Sequence, residues 1–130
     1  MFSFGPKSKE RLSGVHPDLV RVIEEAIKES PYDFSITQGL RTLEQQQALF
    51  NAGKSKTLRS RHLTGHAVDI AVIDNGTVTW DFDKYKVVAD HIKDVAKLND
   101  VPINWGGDWV TFKDGPHFEL NKNVYPDERG

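Results

Sequence analysis

Residues 66–80 read HAVDIAVIDNGTVTW, and few structures accommodate that order of residues. The run HAVDIAVI is rich in β-branched residues and short, so it reads as a strand. Asp74–Thr77, DNGT, carries the Asn-Gly pair that favours a two-residue hairpin turn, and VTW then returns as a second strand. A hairpin commits the chain to an antiparallel sheet, and the sheet needs other elements to cover it.

Those elements are legible on both sides. HPDLVRVIEEAIKES, residues 16–30, places Leu19, Val20, Ile23, Ala26 and Ile27 at helical spacing, with Pro17 in the first turn and Pro31 closing it. YDFSITQG alternates Tyr32, Phe34 and Ile36 along one side of a strand that ends at Gly39. RTLEQQQALFNAG predicts a second helix, with Thr42 and Gln45 as a capping box and Gly53 just past its end. Residues 83–98 predict a third, with Val87, Val88, Ile92, Val95 and Ala96 inward. VPINWGGDW gives a short strand broken at Gly106–Gly107, and HFEL a last one.

The order α-β-α-β-β-α-β-β describes one α+β domain spanning residues 1–130, a mostly antiparallel sheet with about three helices around it. Residues 1–14 read as a flexible lead-in and 121–130 as a polar tail. No internal repeat or interior linker interrupts the chain.

Composition excludes several chemistries. There is no cysteine, so disulfides, thiolate metal sites and cysteine nucleophiles are out, and any metal must be held by His, Asp or Glu. A net charge of −2 argues against nucleic-acid binding by bulk electrostatics. No run of about 18 apolar residues exists to insert in a membrane. The N-terminus lacks the apolar segment of a secretory signal.

Histidines then narrow the site. His16 precedes a helical proline and reads as the start of that helix, and His91 sits mid-helix. His62, His66 and His117 lie beside glycines at strand edges. His66 and Asp69 are three apart, so on a regular strand they face opposite ways and do not share a metal. Asp114 precedes His117 by three across a Gly-Pro turn. A neutral imidazole can hold a metal, and a carboxylate beside it can take the proton of an attacking water. Glu119 shares the strand face of His117. Arg41, between a strand end and a helix cap, can polarise a carbonyl or hold a carboxylate. Lys54, Lys56, Arg59 and Arg61 form a basic loop, read equally well as a solvated face or as an attractor of acidic substrate.

Taken together, GLRT, SRHLTGHAVDI, WGGDW and DGPHFEL resemble the zinc peptidases of the D-alanyl-D-alanine carboxypeptidase and L-alanyl-D-glutamate endopeptidase group. The signature Ser-x-His-x-x-Gly-x-Ala-x-Asp falls on Ser60, His62, Gly65, Ala67 and Asp69, and the downstream acid-x-x-His falls on Asp114 and His117. The resemblance runs from about Pro31 to Leu120. It implies one Zn²⁺ per chain on His62, Asp69 and His117, with Asp114 as base and Arg41 as the cation at the oxyanion. Ser60, Trp105 and Trp109 become candidate substrate contacts, and Asp108 could order the loop between the two tryptophans. Among relatives, the short form resembles phage endolysins that cut the L-alanyl-D-glutamate bond of the peptidoglycan stem peptide. That implies a monomer made in the host cytoplasm and released to the wall with a holin. A D-alanyl-D-alanine carboxypeptidase and a non-catalytic zinc or peptidoglycan-binding module are the alternatives.

Overall fold

A computed structural model describes residues 2–55, 57–111 and 113–126. Lys56 of the basic loop and residues 127–130 of the tail lie outside the described residues.

The central strand is β2 (Ala67–Asp74), and it is antiparallel to every neighbour. β1 (Asp33–Gln38) lies along one edge; β3 (Thr77–Thr79) and β5 (His117–Leu120) take successive stretches of the other. β4 (Ile103–Trp105) pairs with β5 and ends the sheet, giving the order β1-β2-β5-β4 with β3 beside β2. The hairpin turn forms where Asn-Gly predicts it: Asn75 and Gly76 have φ of 50° and 78°, the positive values a type I′ turn requires.

Four helices surround the sheet. α2 (Pro17–Lys28) buries Leu19, Val22, Ile23, Ala26 and Ile27. Its first turn is closed by His16, whose Nδ1 accepts from the Asp18 amide. α3 (Leu43–Asn51) carries the full Thr42–Gln45 capping box. α4 (Phe82–Leu98) buries Tyr85, Val88, Ala89, Ile92 and Ala96. Val87, expected inward, is 45% exposed. At 100° per residue it falls on the side of the helix opposite the face formed by Tyr85, Val88, Ala89, Ile92 and Ala96. The Tyr85 hydroxyl accepts from the Val72 amide and donates to the Thr79 carbonyl, tying α4 to both arms of the hairpin.

The fourth helix corrects the reading of a flexible lead-in. α1 (Pro6–Arg11) is short and contains no apolar residue, so hydrophobic periodicity cannot reveal it. It is held by flanking Phe4, Leu12 and Val15, all in the core. It also closes the outer edge of β1: Ser8 Oγ accepts from the Ile36 amide and Arg11 Nη1 donates to the Ile36 carbonyl. The tail is anchored too, since the Tyr125 hydroxyl donates to Asp18. Among the described residues no helix is long and apolar enough to cross a membrane.

Candidate metal centre and cleft

Strand register builds the heart of the site. Asp69 of β2 pairs directly with His117 of β5 on one side and with Gln38 of β1 on the other. Directly opposed residues put their side chains on one face. β1 is irregular between Ile36 and Gln38, which brings Gln38 into register with Asp69.

His62 arrives from a 3-10 turn, Arg61–Thr64, just before β2. Ser60 caps this turn, its Oγ accepting from the His62 amide at 3.1 Å. Gly65 ends it at φ 75°, and a Cβ there would press on the Gly14 carbonyl. Thus the Ser-x-His-x-x-Gly spacing is the length of one capped turn that delivers His62 to the start of the central strand.

His62 Nε2 lies 3.2 Å from Asp69 Oδ1, and His117 Nδ1 lies 3.1 Å from the same oxygen. The ligand-capable atoms of all three residues fall within 4.8 Å of one another. The opposite ring nitrogens are committed elsewhere. His62 Nδ1 donates to the Gly39 carbonyl at 2.9 Å, and His117 Nε2 to Glu119 at 2.9 Å. Such bonds fix the tautomer. In neutral rings the inward nitrogens are then lone pairs, and they face a carboxylate that is also an acceptor. A proton can satisfy one of these two contacts; a metal cation satisfies all three residues at once, so the donor set fits a cation.

Electrostatics agrees. Burial disfavours a charged Asp69, yet hydrogen bonds from His117 and His62 hold its carboxyl well below the ordinary range. Burial also works against a charged His117, but Asp69 and Glu119 push it up to about 9. Asp114 moves the other way: burial, then the charge of Asp69, raises its carboxyl, with His117, His62 and Arg41 pulling back.

Arg41 is 8% exposed and firmly held. Its Nε donates to Gln38 Oε1 at 3.2 Å, its Nη1 to Gln46 Oε1 at 2.6 Å, and its Nη2 stands 3.8 Å from Asp69 Oδ2. Gln46, fully buried, also donates to Ser55 Oγ and the Thr57 carbonyl. This glutamine joins Arg41 to the loop beyond α3. Sequence reasoning passed over it, because α3 buries this glutamine while Leu43 and Phe50 are exposed, the reverse of what residue type suggests.

A cleft of about 800 Å³ opens over these groups. Gln38, Arg41, Lys54 and Ser60 line one part of it, and Trp109, Lys113, Asp114 and His117 another. The Trp109 ring sits 5.2 Å from that of His117.

Trp105 is not a cleft residue. It is 2% exposed, packs between Phe82 and Phe118, and donates its Nε1–H to the Gly115 carbonyl. The indole is thus a strut for the loop that presents Asp114. Arg61 leaves the basic loop as well. It is buried and donates to the Leu120 and Tyr125 carbonyls, with Glu119 nearby at 3.7 Å. His66 stands outside the metal group, its Nδ1 2.7 Å from Thr64 Oγ1 and its ring against His16. His91 Nε2 donates to the Ala26 carbonyl. Asp108 pairs with Lys93 of α4, which holds the Gly106–Asp108 turn.

The two glycines of WGGDW have separate duties. A Cβ on Gly107 would overlap the Trp105 ring, and one on Gly106 would overlap the Asp114 carbonyl and crowd the Asp114 and His117 side chains. Gly106→Ala is therefore expected to cost about 1–3 kcal/mol of stability through overpacking. Urea denaturation checks this, and an unchanged midpoint would show that the loop yields freely.

Comparison with known proteins rests on the same elements. The family model for phage L-alanyl-D-glutamate peptidases matches residues 1–124. The chain belongs to the phage L-alanyl-D-glutamate peptidase family. It is 34% identical over 128 residues to the L-alanyl-D-glutamate peptidase of Escherichia phage T5, covering 95% of this chain and 93% of that one. The crystal structure of the Serratia marcescens L-Ala D-Glu endopeptidase ChiX superposes with a TM-score of 0.91 at 47% identity, covering 97% of this chain and 95% of that chain. The vancomycin-resistance D,D-dipeptidase VanXYg, at 18% identity and a TM-score of 0.54, covers 82% of this chain and 50% of that one, and shares the fold. Membership in the peptidase family extends beyond the motif segments, because α1 and the core strands fall within the matched residues.

Proposed function

We propose that this peptidase is a zinc-dependent endopeptidase that hydrolyses the L-alanyl-D-glutamate bond of the peptidoglycan stem peptide. The observation that carries the reading is the convergence of His62 Nε2, Asp69 and His117 Nδ1 on one point, in a chain of this family. His62, Asp69 and His117 would hold the ion. When bound, zinc supplies Lewis-acid chemistry, polarising the scissile carbonyl and lowering the pKa of water from 15.7 toward about 7.

The chain's own groups do the rest. Asp114, in the cleft beside His117, takes the proton of the attacking water and returns it to the leaving amine. Its raised pKa suits both duties, because a carboxyl that holds a proton more firmly is a stronger base and can then act as acid. Arg41 cannot swing freely while Gln38 and Gln46 hold it, so its charge is in place before the oxyanion develops. Glu119 keeps the His117 ring oriented with its Nδ1 inward. Ser60 and Trp109 line the path of the substrate.

The test is digestion of purified sacculi before and after chelation. The protein is expected to lose activity with chelator, regain it with zinc, and release whole stem peptides that begin with D-glutamate, leaving L-alanine on the glycan, read by mass spectrometry. Release of single D-alanine would instead identify a carboxypeptidase. Zinc binding without any turnover would identify a binding module.

A further inference from the structure

The chain is acidic overall, with a net charge of −2, but its cleft is not. Among the described lining residues, Arg41, Lys54 and Lys113 outnumber the carboxylates Asp69 and Asp114. Arg41 stands against Asp69. Lys54 and Lys113 make no ion pair with a described residue. They also belong to different walls: Lys54 adjoins Ser55, which Gln46 links to Arg41 and so to Gln38 of β1, whereas Lys113 bonds Gly107 and leads through Asp114 to β5. Lys113 is steadied over the cleft by a 3.3 Å hydrogen bond to the Gly107 carbonyl. Positive charge concentrated in one cleft of an acidic protein indicates an anionic ligand.

Which lysine meets which group follows from the reaction, so the inference rests on the proposed function. Asp114 returns its proton to the leaving amine, which therefore lies on the Asp114 side. In a stem peptide that amine belongs to D-glutamate, whose chain continues through its γ-carboxyl. The free α-carboxylate is attached to the carbon that bears the amine. The nearest cation along the chain is Lys113, adjacent to Asp114.

We propose that Lys113 is a specificity-determining residue that reads the free α-carboxylate of the D-glutamate on the leaving side. The cleft thereby distinguishes D-glutamate from its amidated form, D-isoglutamine. An amide lacks the charge and makes a weaker hydrogen bond to an ammonium.

The experiment compares kcat/KM on two purified disaccharide-tetrapeptides that differ only in this carboxylate or carboxamide. Wild-type protein is expected to favour the carboxylate. Lys113→Gln is expected to lower kcat/KM on it by about 10- to 100-fold, the range of a charged hydrogen bond, and to leave the carboxamide within about twofold. Lys113→Arg should keep the preference. Lys54→Gln removes an equal charge from the opposite wall and should lower both substrates by one common, small factor. Equal losses on both substrates in Lys113→Gln, absence of a wild-type preference, or a preference abolished by Lys54→Gln instead would each overturn the assignment. Failure of the wild type to cut either substrate between L-alanine and the glutamate would overturn the proposed function itself, which is a separate outcome.

Discussion

Asp114→Asn is expected to keep its fold and its zinc while losing about 10²- to 10⁴-fold in kcat, the range for removing a positioned general acid-base. The substitution is nearly isosteric, and the backbone contacts of Asp114, its amide to the Gly106 carbonyl and its carbonyl to the His117 amide, are untouched. Asp114 is outside the converging group, so metal content should remain one per chain. Removing a negative charge near His62 and His117 could weaken metal binding slightly, so turnover must be measured at saturating zinc. Stoichiometric zinc with kcat within tenfold of wild type would remove Asp114 from the role of base. Loss of zinc together with turnover would reassign it to holding the metal.

His117→Ala is expected to have the other large effect, loss of stoichiometric zinc and with it all measurable cleavage. His62→Ala should behave alike, whereas His66→Ala should retain zinc. Metal content after dialysis separates the three, and zinc retained in His117→Ala would refute that assignment. The pH dependence carries a sign. In the metal-free protein His117 titrates near 9, raised from 6.5. Its pairing therefore adds stability that is fully present below about 6.5 and is lost as pH rises through about 9. Zinc must displace that proton, so its apparent affinity should rise by up to tenfold per pH unit below about 9 and then level off. Asp69 adds the opposite dependence at low pH, because its carboxyl is depressed and its contribution disappears on acidification. Competition with a chelator across pH 6 to 10 checks the first trend, and an affinity independent of pH would contradict it.

The site was legible in the sequence wherever a motif fixed spacing within one element. Ser60 to Asp69 is a capped turn running straight into a strand, so local geometry carries most of the arrangement. The pairing of Asp69 with His117 is not local; the family resemblance supplied it, and strand register accounts for it. What stayed hidden was chemistry at odds with residue type. Arg61 sits in a run of basic residues yet is buried on backbone carbonyls. Trp105 and Trp109 look equivalent around two glycines, but one is core and the other lines the cleft. Gln46 looks like surface and is the anchor of Arg41. Arg61 answers to Leu120 and Tyr125 far along the chain, Trp105 to Phe82, Phe118 and Gly115, and Gln46 to polar partners on either side of it, and apolar periodicity encodes none of these. The helix α1 was missed for the same reason, since its contribution is two polar contacts rather than an apolar stripe.

That small helix bears on how the protein can be stored. An outer strand offers unpaired backbone groups to a second molecule. Here β3 and β4, each paired on one side only, are three residues long. The longer outer strand, β1, has both backbone groups of Ile36 occupied by Ser8 and Arg11. None of these margins presents a long template for another copy. Margins of this kind resist edge-to-edge pairing between copies, so concentrated protein is expected to stay dispersed rather than to aggregate.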